Sequence, residues 1–298
     1  MDCYEKPFKT LDELIEVMIS RNILVDDNTK KHLYYDSHYS IINGYKNLFI
    51  ARPRSRKNKN DDIYKKGTHF NEIYSLYNLD RELRSLFLKE LMRAETFFKN
   101  VYFYEFYSEF GDKSSYLVRN NYDVKFTQLD KTIELLKSII RDATDSKHPN
   151  AIKHCIKEYA YVPFWVLLRF LTFSNMYYLY KAAKPTIKAR IASKISSVQT
   201  KSIFILASEI ENFIDTFRDF RNICAHDNIF YDHTTISKRN PYYVYNKLEY
   251  FLSKNNYEEF TLSLKNVLSY YRNNTPFKIT NANDILKIMG FPIDWDIK

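Results

Sequence analysis

The chain has 298 residues, 45% of them hydrophobic and 27% charged, enough apolar side chain for one or two packed domains and too much for a disordered chain. Its four Gly and eight Pro make about 4% of the sequence against roughly 12% in average usage, which disfavours turn-rich sandwiches and barrels and glycine-cradled nucleotide sites, and predicts an all-α fold. A formal net charge of +9 favours a polyanionic partner: RNA, DNA or an acidic membrane surface.

Thr10 followed by Glu13, just ahead of Leu14, Ile15, Val17, Met18 and Ile19, is a capping box that opens a first helix. The start is acidic and lacks a basic stretch followed by an apolar run, so no secretory leader is expected. After a turn at Val25 to Asp27 comes an aromatic-rich run, HLYYDSHYSIINGYKNLFI, which reads as helix with a break near Gly44. The segment Ala51 to His69 then carries Arg52, Arg54, Arg56, Lys57, Lys59, Lys65 and Lys66 against Asp61 and Asp62, so +5 of the +9 sits in one basic loop. This pattern fits a solvated connection between helices as well as it fits a nucleic-acid contact.

Asp80 to Phe110 has no Pro or Gly and ends at Gly111, which predicts a helix of about eight turns with a glycine stop. Asn120 to Val124 is a connector, and Gln128 to Ala143 returns to helical spacing. An internal boundary is placed there, dividing a helical region 1–122, which holds the basic loop 51–69, from a second region 123–298. Pro149, Pro163 and Pro185 fall at helix starts, where a missing N–H is harmless. The apolar window Tyr161 to Tyr180 has Arg169 near its middle, at about 2.5 to 3.5 kcal/mol on insertion scales, so it reads as a buried helix rather than a membrane span. Trp165, with Phe164, Leu167, Leu168 and Phe170, is expected in the core. A helix from about Gln199 to Asp227, a polar stretch Asn228 to Asn246, and helices at about Tyr257 to Arg272 and Ala282 to Met289 complete the chain.

Cys3, Cys155 and Cys224 are far apart and lack ligand spacing, which suggests a reducing compartment and neither a disulfide framework nor zinc. His32, His38, His69, His148, His154 and His233 show no ligand spacing or obvious partner. The chemistry gathers elsewhere. With Phe213 as origin and 100° per residue, Phe217, Phe220 and Cys224 fall within roughly 40° of it and form a core stripe. Asn222 and His226 lie opposite, with Asp215 and Asp219 beside them and Arg218 and Arg221 on the flank. An imidazole, an amide and guanidinium groups on one face can position a phosphodiester and move its protons without a metal. An Arg followed five residues later by His is weak evidence alone, since chance gives about 0.35 occurrences in a chain of this composition.

The segment FRDFRNICAHDN resembles the Arg-Asn-x-x-x-His signature of HEPN domains, and the whole chain resembles the Abi-like abortive infection family of the AbiD and AbiF type. The likeness is carried by KPFKTLDELIEVMISRNILVDD, HYSIINGYKNLF, DRELRSLFLKELMRAETFF, PFWVLLRFLTFSNMYYLYKA, RNICAH and NANDILKIMGFP. It implies that residues 123–298 form an HEPN-like domain in a cytoplasmic, homodimeric phage-defence or toxin–antitoxin protein. The implied activity is metal-independent RNA cleavage through the ribose 2′-OH, leaving a 2′,3′-cyclic phosphate and needing no cofactor. Arg221, Asn222 and His226 match the catalytic positions, and Asp227 stands where relatives often carry a second His or a basic residue. Glu95 lies at the family's acidic position, where it would pair with Arg218 or Arg221, or else act as a solvated partner of Arg93 and Lys99.

RNA contacts are expected from Arg52, Arg54, Arg56, Lys57, Lys59 and Arg239, with base stacking from one or two of Tyr231, Tyr242, Tyr243 and Tyr245. The alternative to a nuclease is a catalytically silent protein that holds a structured small non-coding RNA, since AbiF-type relatives are associated with such RNAs as antitoxin or ligand. A protein-interaction scaffold is the third reading. None of these involves a membrane.

Overall fold

The computed structural model describes residues 8–53, 61–111, 113–198, 204–292 and 295, and they form an all-α bundle. Helices α1 (Leu11–Ser20) and α2 (Thr29–Tyr35) come first, and the Thr10–Glu13 capping box is formed at the start of α1. The aromatic run that follows is not one helix. It passes from α2 into a π-helical turn, Tyr39–Asn43, because Asp36 adopts an extended backbone and its carboxylate is taken by the Tyr74 and Tyr77 hydroxyls at 2.8 and 3.0 Å.

Both described ends of the basic segment are paired rather than free. Strands β1 (Ile50–Arg52) and β2 (Ile63–Tyr64) pair antiparallel, with Phe49 and Tyr64 buried beneath them. Asp62 is buried and paired with Lys46 at 2.7 Å, so part of the acidic charge in this segment is structural. Arg54, Arg56, Lys57 and Lys59 lie outside the described residues.

The spine of the molecule is α3 (Phe70–Phe110), 41 residues and about 60 Å long at 1.5 Å per residue. It begins ten residues earlier than the pattern from Asp80 predicts. The turn at Gly67 (φ 90°) reverses the chain, His69 caps the new helix through the Asn71 N–H, and Phe70, Ile73, Leu76 and Tyr77 already present an apolar face. Gly111 (φ 69°) ends it as expected.

Helices α4 (Leu129–Asp145), α5 (Ala151–Tyr159), α6 (Phe164–Leu167), α7 (Phe173–Ala182) and α8 (Pro185–Val198) follow. The window Tyr161 to Tyr180 is therefore broken rather than a single helix. A 3₁₀ turn, Leu168–Phe170, ends α6, and Thr172 starts α7 through a reciprocal cap with Asn175. The break turns Trp165 outward, 48% exposed, while Phe164, Leu167 and Leu168 stay in the core.

The last helices are α9 (Ala207–Ala225), α10 (Pro241–Leu248), α11 (Lys254–Asn274) and α12 (Ala282–Met289). Helices α8, α9 and α11 pack around α3, and α7 packs on α9. Core residues from 1–122 and from 123–298 belong to one continuous apolar cluster. Tyr231 and Tyr245 are part of it, so two of the four candidate base-stacking tyrosines are interior side chains. No described helix is long and apolar enough to cross a membrane.

Buried polar groups on α3 hold late segments of the chain. Glu72 accepts from the backbone N–H groups of Lys278, Ile279 and Thr280 at 2.8 to 3.1 Å and from the Thr280 hydroxyl at 2.8 Å. Two turns later Asp80 and Arg84 do the same for the segment that follows α9.

Candidate active site

The apolar stripe of α9, with Phe213, Phe217, Phe220 and Cys224, is buried, and Asn222 and His226 are exposed on the other side, as the helical spacing predicts. The helix stops at Ala225. His226 is its C-terminal cap, with its N–H donated to the Asn222 carbonyl at 3.1 Å, and Asp227 turns the chain with φ 56°, a left-handed conformation that Asp tolerates better than most residues. Among the described residues the His226 ring makes no hydrogen bond or ion pair.

The segment after His226 is fixed by α3. The Arg84 guanidinium pairs with the Asp227 carboxylate and donates to the Asn228 carbonyl at 3.0 Å. Asp80, one turn earlier and fully buried, accepts the N–H groups of Phe230 at 3.1 Å and Tyr231 at 2.7 Å, and the Tyr45 hydroxyl at 2.8 Å. Burial pushes the Asp80 carboxyl up to about 6 despite these donors and the Arg84 charge at 3.3 Å. Asp227 therefore does not stand as an uncompensated negative charge beside His226.

Three turns further along α3, Glu95 is 8% exposed and lies between two cations. It pairs with Lys99 at 2.7 Å and with Arg221 Nε at 3.9 Å. Of the four partners suggested by the sequence, Lys99 and Arg221 pair with Glu95, while Arg93 pairs with Glu90. Arg218 is turned away, bonded to Asp215 at 2.6 Å and stacked over Tyr177 at 4.6 Å. The hydrogen bond found for the Arg221 guanidinium goes to Asn222 Oδ1 at 3.5 Å, and its Nε has none. Arg221, Asn222 and His226 thus share the C-terminal end of α9, with Arg221 braced from α3 by Glu95.

Arg239 is engaged elsewhere. It donates to the Asn212 carbonyl, the Asn212 side chain and the Thr216 hydroxyl at 2.7 to 2.9 Å, clamping the polar stretch to the middle of α9. Arg52 is exposed at the end of β1. The root of that hairpin reaches the segment after α9, because Asn47 donates to Asp232 at 3.5 Å and Gly44 packs beside Ile229. His233 has a partner that spacing did not reveal: its Nε2 lies 2.8 Å from Asp219, one turn before Asn222 on α9. Arg84 was missed as well, because a basic residue on a long helix carries no sign in sequence of the carbonyls it will meet. Among the described residues, no group of three His, Cys, Asp or Glu side chains is placed to hold a metal ion.

A family model described as Abi-like protein matches residues 31–232, more than half of the chain. The chain belongs to the Abi-like family. The match spans α2 through the end of α9, so the Abi-like region contains the Asp80–Arg84 anchor, Glu95 and the Arg221–His226 cluster together. Membership points to abortive infection, a phage-defence response. No curated protein and no solved structure matches the chain.

Proposed function

We propose that this Abi-like protein is a metal-independent endoribonuclease of the HEPN type acting in abortive infection. The observation that carries the reading is the end of α9, where His226 and Asn222 face solvent beside a braced Arg221 while the nearby Asp227 is taken up by Arg84. An unengaged imidazole at the same helix end as a guanidinium suits a phosphodiester. His226 removes the proton of a ribose 2′-OH, the 2′ oxygen bonds to phosphorus, and the bond from phosphorus to the 5′ oxygen breaks as that oxygen gains a proton. Arg221 and the Asn222 amide stabilise the charge that builds on the phosphoryl oxygens. The products are a 2′,3′-cyclic phosphate and a 5′-OH.

One copy offers a single imidazole at this position, and the two proton transfers call for two groups, so the working unit is a homodimer that brings two α9 ends to one cleft. Purified wild-type and His226→Ala protein, incubated with total RNA in EDTA, test this by analysis of the fragment ends. Cyclic-phosphate ends from the wild type alone are expected. Equal cleavage by His226→Ala refutes the assignment, and an uncut small RNA that co-purifies in defined stoichiometry moves the protein to the RNA-holding alternative.

A further inference from the structure

Beyond Glu95, the outer surface of α3 meets α6 and the 3₁₀ turn after it in a groove of about 270 Å³. Phe103 and Leu168 supply its apolar lining, while Trp165, Tyr104, Asn100 and Arg169 stand exposed around it. The indole meets the Phe103 ring at 6.1 Å and 73°, edge to face, which props it upright at the rim. Arg169 makes no hydrogen bond or ion pair with any described residue. Lys99 also lines the groove, but its ammonium is spent on the Leu171 carbonyl at 2.6 Å and on Glu95.

The composition of this groove selects an occupant. An apolar segment of a protein would leave Arg169 and the Asn100 amide desolvated and unmatched, at a cost that the small aromatic area does not recover. A nucleotide uses all of it: the base has a flat face for Trp165 or Tyr104 and edge groups for the Asn100 amide, and the phosphate carries the charge that matches Arg169. The groove is linked to the α9 site by a chain of ion pairs, since Glu95 pairs with both Lys99, which lines the groove, and Arg221.

We propose that this groove holds an unpaired nucleotide of the RNA whose phosphodiester lies at Arg221, its base stacked on Trp165 and its phosphate paired with Arg169. The proposal rests on the reading of the α9 end as an RNA site and adds to it a preference for single strands. A duplex keeps its bases stacked on one another and offers none to the indole.

The chain has two Trp, and the other, Trp295, packs against Phe291 and Tyr245, so a Trp295→Phe protein has Trp165 as its only indole reporter. The probe is a 12-nucleotide single-stranded oligoribonucleotide with 2′-O-methyl riboses, which cannot be cut by 2′-OH attack. Saturable quenching of Trp165 is expected with the single strand and none with its duplex. In the full chain, Trp165→Ala should weaken binding about 5- to 100-fold. Arg169→Ala should lower the slope of log affinity against log salt by about 0.7, the value of one phosphate contact on a single strand. Both side chains are exposed, so the melting temperature of each variant is expected to stay at that of wild type.

Unchanged affinity in Trp165→Ala, while Arg221→Ala weakens binding, overturns the groove and leaves the α9 reading standing. Dissociation of a dimer by Trp165→Ala also overturns it, by assigning the groove to a second copy. Wild-type protein that neither cuts RNA nor binds the probe refutes the α9 reading and the groove together.

Discussion

Replacement of Arg84 by Met should destabilise the protein in a way that grows with pH. Arg84 is 6% exposed and Asp80 is fully buried, so the variant leaves a carboxylate in the core without its cation. Asp80 does not have to remain charged. In the wild type its folded-state value is about 6, above the 3.8 of an ordinary Asp, so acid favours the folded state here. That contribution is fully present below about pH 4 and is lost as pH rises to about 6. Above pH 6 the ionised form is the favoured one in the wild type, by about 1.4 kcal/mol for each pH unit.

The variant, held in the protonated form, forgoes this gain: about 1.4 kcal/mol at pH 7 and about 2.7 at pH 8. A loss of roughly 1.5 to 3 kcal/mol for the bond from the Arg84 cation to the Asn228 carbonyl is added at every pH. Urea unfolding of wild type and Arg84→Met at pH 6, 7 and 8 should therefore give a difference of about 3 to 4 kcal/mol at pH 7 with a slope near 1.4 per pH unit. A difference that does not change with pH, or one below about 1 kcal/mol at pH 8, refutes the reasoning.

Three further outcomes are expected. Phe98→Ala removes a fully buried ring set among Tyr102, Phe173 and Tyr180, and should cost about 3 to 5 kcal/mol in urea unfolding. Glu72→Gln places an amide NH₂ among four donors and should cost about 1 to 3 kcal/mol, with faster hydrogen exchange confined to residues 278–289. Cys224, whose thiol burial pushes up to about 12, should resist a thiol-specific reagent at pH 8 until the protein is unfolded, as followed by mass spectrometry.

Local signals were readable from the residues. The Thr10–Glu13 box, the Gly111 stop and the prolines at helix starts are short-range chemistry, and each stands where the pattern puts it. The stripe from Phe213 to Cys224 follows from periodicity alone and places Asn222 and His226 on the open side of α9. What the pattern lacked was rotation of one helix against another. Glu72, Asp80 and Glu95 look in sequence like polar residues of a solvated helix, and only the seating of α3 against α9 and the C-terminal segments makes them interior acceptors. Trp165 misled for the opposite reason. It sits in an apolar run, but the 3₁₀ turn after it changes the helical phase and rolls the indole outward. Tyr231 lies in a polar stretch whose backbone is bonded to Asp80, which carries its ring into the core, and Tyr245 is buried on α10 against Phe260 and Phe291.

The bonds from α3 to late segments set an order in time as the protein is made. Asp80 leaves the ribosome 150 residues ahead of the Phe230 amide it will accept, an interval of roughly 8 to 30 s at ordinary rates of elongation. Until then the Asp80 carboxylate, on a helix already made, lacks the Phe230 and Tyr231 backbone donors. A chain interrupted before Phe230 carries the Arg221 to His226 residues without the Asp80 bonds that fix the segment after them. The Arg221 to His226 cluster is thus among the last parts of the Abi-like region to be fixed.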